Sequence, residues 1–222
     1  MMPAMVPRYE IVRVREDFDV GGPPAVWQEA APLAVSHYLW LENGYRPPAE
    51  ARLCYTGRFL YVRFDVREAR LRARFTRFQD PVYKDSCVEF FVDAFPGLRK
   101  GYLNFEANAL ATFLIAFGPD RDHRTPIGKG DLKGFAAAST VKSPLDGEIA
   151  AGHWALAYRI PLGLFRKLYG RSISPGQTAA ANFYKCGDET AVPHYGAWSP
   201  VGTAKPDFHR PEYFGELVFA SS

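Results

Sequence analysis

Helical periodicity is almost absent from this chain, whereas short runs of alternating apolar and polar residues recur between Gly, Pro, Asn and Asp. Side chains on a strand point alternately to opposite faces, so such a run can bury one face only by packing against another sheet. Between Arg52 and Val66, Leu60, Val62, Phe64 and Val66 fall on one face and Thr56 with Gly57 supplies a turn, which predicts a hairpin. From Cys87 to Asp93, Val88, Phe90 and Val92 alternate with Glu89, Phe91 and Asp93. From Tyr102 to Asn108, Leu103, Phe105 and Ala107 point inward and leave Tyr102, Asn104, Glu106 and Asn108 on the opposite face. Further strands are expected at Thr112–Phe117, Ala136–Val141, Trp154–Ile160, Ala179–Lys185 and Gly215–Phe219. One short helix is expected after Pro161, through Leu162, Leu164, Phe165 and Leu168, ending at Gly170. Eight or more strands with so little helix predict an all-β antiparallel sandwich of jelly-roll or immunoglobulin-like architecture, formed by residues 1–222 as one domain. Trp27, Trp40 and Trp154 read as core. The long loops Asn43–Pro48, Gly118–Gly134 and Gly187–Asp207 are where binding is expected on such a scaffold.

Charge and cysteine usage narrow the function. Twenty-seven Lys and Arg against 24 Asp and Glu leave a net charge of +3 with no block of like charges, so nucleic acid is not an expected partner. The most basic stretch, Arg67 to Arg77, reads as a solvated strand end. Cys54, Cys87 and Cys186 are odd in number and far apart, which argues against a disulfide framework or zinc knuckle. No apolar run has the length of a membrane span or signal peptide, so no membrane partner and a cytoplasmic location are expected. Met1, Met2 and Met5 are the only methionines, and their terminal position argues against a Met-ligated haem. Cys186, Asp188, His194 and His209 match no zinc spacing. No cofactor is expected, apart from a structural calcium ion for which Asp120, Asp122 and Asp131 offer oxygen ligands.

Two blocks, VYKDSCVEFFVD at Val82 to Asp93 and NFEAN at Asn104 to Asn108, resemble the family 9 carbohydrate-binding modules. So do AWSP at Ala197 to Pro200 and FHRPEYFGELVF at Phe208 to Phe219. The resemblance implies a β-sandwich that holds one or two sugar rings between loop aromatics, with polar strand residues beneath. Carried over by position, the aromatics are Tyr83 and Phe208, and the polar residues are Glu89, Glu106 and Asn108. Trp198 stands in support. Sugar rings pack C–H faces on aromatic rings while their hydroxyls need donors and acceptors at the rim. Members of the family appended to xylanases carry Trp at both aromatic positions and Arg at the position of Glu106, so a weaker clamp with an acceptor in place of a donor is expected here. The expected role is non-catalytic binding of a mono- or oligosaccharide. The alternatives are a structural or protein-interaction sandwich with a degenerate site, and a glycoside hydrolase using Glu89 and Glu106, a residue pair that neighbouring strands could bring together.

Overall fold

The computed structural model describes residues 6–22, 24–145, 147–150 and 152–221. Its strands run β1 (Arg8–Arg13), β2 (Leu33–Val35), β3 (His37–Tyr38), β4 (Ala49–Tyr55), β5 (Phe59–Val66), β6 (Arg70–Arg72), β7 (Cys87–Asp93) and β8 (Tyr102–Asn108). They continue as β9 (Phe113–Gly118), β10 (Thr125–Pro126), β11 (Ala136–Ser139), β12 (Glu148–Ala150), β13 (Trp154–Pro161), β14 (Thr178–Cys186), β15 (Tyr195–Ala197) and β16 (Gly215–Phe219), with helix α1 at Leu162–Tyr169.

One layer of the sandwich has the order β10-β9-β8-β7-β14-β16-β1 and the other β1-β4-β5-β13-β11. Strand β1 belongs to both. Its first residues pair with β16 and its last, Val12 and Arg13, with β4. Both pairings are parallel, which corrects the wholly antiparallel expectation: a strand that leaves one sheet for the other curls the two layers into a continuous wall. β1 itself was not foreseen, although exposed Arg8 and Glu10 alternate with buried Tyr9 and Ile11 over a short run.

The core between the layers is built from the residues that the alternation placed inward. Leu60, Val62, Phe64 and Val66 of β5 meet Val88, Phe90 and Val92 of β7 and Leu103, Phe105 and Ala107 of β8, with Leu156, Tyr158 and Ile160 of β13. The Phe90 ring stacks on Phe183 of β14 at 4.8 Å. Helix α1 closes one end, burying Leu164, Phe165 and Tyr169, and Gly170 terminates it at φ +76°, a left-handed conformation that glycine adopts without a Cβ clash. Trp154 and Trp27 are buried as expected. Trp40 is not core: it is half-buried at φ +65° on a loop and donates Nε1–H to the Thr203 carbonyl at 2.6 Å. Met1, Met2 and Met5 lie outside the described residues.

The outer face of β7, β8 and β14 departs most from expectation. Asn104 and Asn108 are fully buried, and so is Tyr102, so the polar face of β8 is roofed rather than solvated. The roof is a second apolar cluster in which Phe91, Tyr102 and Tyr184 of the sheet pack against Val82, Val201, Phe208 and Phe214 of the loops. Asn182 pins this roof, donating to the Ser199 carbonyl and accepting from the Ser199 amide. The Trp198 ring lies so close over Gly215 that a Cβ there would sit 2.4 Å from Trp198 Cζ3 and 2.8 Å from the Pro7 carbonyl oxygen. Gly215→Ala is therefore expected to cost about 1–3 kcal/mol, read as a lower denaturation midpoint. An unchanged midpoint would show that the indole is free to move aside.

Candidate functional site

The roof is not closed everywhere. A cavity of about 320 Å³ opens over the middle of β7 and β8, near the lower end of the range typical of small-molecule sites. Glu89 and Glu106 line it. They are direct partners across the β7–β8 ladder, and both are only 3% exposed.

Two acids this close and this deep cannot both ionise freely. Burial drives the Glu89 carboxyl well above the usual range, and the neighbouring Glu106 adds to the effect. Burial likewise pushes Glu106 up to about 7, opposed by Arg124 and Arg121. Glu89 accepts a hydrogen bond from the Cys186 thiol at 3.1 Å, and Glu106 accepts one from Asn104 Nδ2 at 2.9 Å. An ion pair of Glu89 with Lys84 is not formed, because Lys84 is turned to Glu189 at 2.9 Å.

Around this floor the loops supply walls of two kinds. Tyr83 sits in the short 3-10 turn Val82–Lys84, and Phe208 comes from the loop before Pro211; both line the cavity. The Phe208 ring is fixed by stacking on Tyr184 at 4.0 Å with 11° between planes, so it is a preorganised wall. The Tyr83 turn is held by Asp85, whose buried carboxylate accepts from the Arg74 and Phe75 amides, from Asn108 Nδ2 and from Arg72 Nε. Arg121 and Arg124 form the charged wall. Arg124 Nη1 lies 3.6 Å from Glu106 Oε1, beyond hydrogen-bond reach, and is otherwise unpartnered. Arg121 is tethered to Asp207 at 2.7 Å. His209 binds Tyr102 Oη through Nδ1 at 2.8 Å, and burial, reinforced by Arg124, lowers its pKa to about 2, so it is a neutral ring.

Four of the six residues expected at the site therefore meet on one cavity: Tyr83, Glu89, Glu106 and Phe208. Asn108 and Trp198 do not line it. The Asn108 amide bonds the Phe75 carbonyl and Asp85, and its oxygen accepts from Leu110 and Thr112, so every group serves the loop. Trp198 packs edge-on against Phe183 at 5.7 Å and props the roof. Sequence reasoning missed Arg121, Arg124 and Asp207, and weighed Cys186 and His209 only as zinc ligands. Their signal was only that the first two fall in the Gly118–Gly134 loop and Asp207 ends the Gly187–Asp207 loop, both marked as long.

Among the described residues, Asp120, Asp122 and Asp131 are not drawn together into a cluster of candidate metal ligands. Asp120 is occupied by His123 and by the amides of its own turn, and Asp131 pairs with Lys167 of α1. His194 does not line the cavity and is hydrogen-bonded to Lys185.

The carbohydrate-binding family 9 model matches residues 25–219. A structure from Bacteroides uniformis, named as a candidate carbohydrate-binding protein, superposes with a TM-score of 0.84 at 29% identity, covering 96% of this chain and 98% of that one. A family 9 module from Caldicellulosiruptor kristjanssonii in complex with glucose superposes at 0.66 with 16% identity, over 97% of each chain. The cellotriose complex of a family 9 module from the same organism gives 0.62 at 14%, over 97% and 95%. No curated protein sequence matches the chain.

Proposed function

Because the chain belongs to carbohydrate-binding family 9, we propose that its cavity binds a mono- or oligosaccharide without transforming it. The reading is carried by the convergence of Tyr83 and Phe208 with Glu89, Glu106 and Arg124 on one cavity of about 320 Å³. A pyranose ring presents its C–H face to the aromatic walls, and its hydroxyls meet acceptors and donors on the floor. The Arg that resemblance located on the β8 strand is absent there, but Arg124 brings a guanidinium to the same carboxylate from the β9–β10 loop. That restores a cationic donor. Bound glucose and cellotriose in the two structural neighbours name the ligand class to try first.

Few contacts and modest rings imply dissociation constants of roughly micromolar to millimolar. Calorimetric titration with glucose, xylose, cellobiose, xylobiose and uronic acids is expected to give saturable heat for at least one neutral sugar. Tyr83→Ala is expected to weaken it about tenfold or more, the equivalent of one lost aromatic stacking contact. Silence across the panel would favour an interaction module with a degenerate site.

The cross-strand acid pair supports a second reading. Directly opposed residues have Cβ atoms about 4.5–5.5 Å apart, a spacing compatible with a retaining glycosidase pair, and the pKa of both acids is raised. Slow release of product from an aryl glycoside, abolished in Glu89→Gln, would favour hydrolysis. Its absence under saturating sugar favours binding alone.

A further inference from the structure

The floor of the cavity carries two cysteines that the proposed sugar binding does not use, grouped with Glu89, which it does. Cys87 of β7 and Cys186 of β14 are direct partners across the antiparallel ladder, and Glu89 lies two residues along β7 on the same face. Their sulfur and carboxylate atoms lie within 4.8 Å of one another, all three residues are buried, both cysteines are free thiols, and among the described residues Glu89 has no ion-pair partner. Cys186 and Glu89 also open onto the cavity, so an ion has a route in and one coordination position would face the ligand space.

We propose that Cys87, Cys186 and Glu89 form a binding site for a borderline-soft divalent cation, Zn²⁺ being the physiological candidate. Two sulfurs and one oxygen exclude Ca²⁺ and Mg²⁺, which take oxygen ligands. Tetrahedral zinc with Zn–S near 2.3 Å and Zn–O near 2.0 Å sets its ligand atoms about 3.5–3.8 Å apart, so rotamer-scale adjustments close the set. Three protein ligands leave the fourth position for water or a ligand hydroxyl, as in open zinc sites. Both thiols, and the Glu89 carboxyl where it is protonated, give their protons to solvent on binding, and two thiolates with one carboxylate around a dication leave one negative charge opposite Arg121 and Arg124, which line the same cavity. Burial, with the neighbouring Glu89 charge adding to it, holds both thiols in the protonated form, Cys87 near 11, so affinity rises with pH.

The site stands independently of sugar binding, because its probe needs no saccharide. Cd²⁺ added to the fully reduced protein is expected to produce an ultraviolet thiolate-to-metal charge-transfer band that saturates at one ion per chain and is displaced by Zn²⁺. Cys87→Ser and Cys186→Ser each remove the two-thiolate band, Glu89→Gln weakens binding about tenfold or more, and Cys54→Ser leaves it intact, since Cys54 packs elsewhere against Trp27 and Tyr61. Circular dichroism on each variant separates loss of ligand from loss of fold, and Glu89→Gln, isosteric, is the variant least able to unfold the sheet. No saturable band in the reduced folded protein, or a band unchanged in either Cys87→Ser or Cys186→Ser, overturns the proposal.

Discussion

Lys185→Met is expected to destabilise the protein by about 3–5 kcal/mol, the cost of breaking a buried ion pair from one side. Lys185 and Glu68 are wholly buried at one end of the sandwich, 3.2 Å apart. The lysine also donates to the Cys186 carbonyl and to His194 Nε2, while Glu68 accepts from Ser86 Oγ and Trp154 Nε1. His194 serves as an acceptor because burial, with Lys185 beside it, lowers its pKa to about 3, and its Nδ1–H donates to the Val192 carbonyl. Removing the ammonium leaves a carboxylate in a dry site with only neutral donors. The same network ties Ser86, which precedes β7, to β14, so the loss reaches the strands that carry Glu89 and Cys186. Chemical denaturation at neutral pH reads the effect directly. A midpoint close to wild type would mean that water enters this end of the sandwich.

The second large effect is a pH dependence set by the acid pair. In the unfolded chain glutamates titrate near 4.3, whereas in the fold Glu106 is pushed up to about 7 and Glu89 is raised as well. Between those values the folded chain holds more protons than the unfolded one, so stability falls as pH rises from about 4.5 through 7. A shift of the size shown by Glu106 corresponds to about 4 kcal/mol once both states are ionised. The double variant Glu89→Gln/Glu106→Gln cannot ionise at either position. It is expected to lose this component of the slope, and to exceed wild-type stability at pH 8 by that order of magnitude, in urea denaturation run at pH 5 and pH 8 with a chelator present. Parallel slopes for the two proteins would mean that the carboxyls are solvated and the cavity is a wet, open cleft.

The sheet was legible in the sequence because its signal is local. Every inward position read from the alternation in β5, β7, β8 and β13 lies in the core. The Pro161 and Gly170 limits of α1 were visible for the same reason. What stayed hidden depends on neighbours distant in sequence. The roof over β8 buries the face that carries Tyr102, Asn104, Glu106 and Asn108, and no pattern within Tyr102–Asn108 signals a cover contributed by residues near 82 and 208. The pairing of Cys87 with Cys186 is equally invisible, since it needs β14 placed beside β7. At the site, resemblance located residue positions but not roles. Asn108 kept the place and type of a sugar ligand, yet its amide is consumed by Asp85 and the Phe75 carbonyl. Arg124, whose Nη1 lies 3.6 Å from Glu106, comes from the end of a loop whose course no local pattern dictates.

A crystal structure of the protein grown with glucose or cellobiose examines the binding account most directly. The account predicts one sugar ring lodged between Tyr83 and Phe208, with hydroxyls on Glu89, Glu106 and Arg124. A sugar seated elsewhere on the surface, for instance beside Tyr38 and Trp40, with the cavity over β7 and β8 left to solvent, would contradict it.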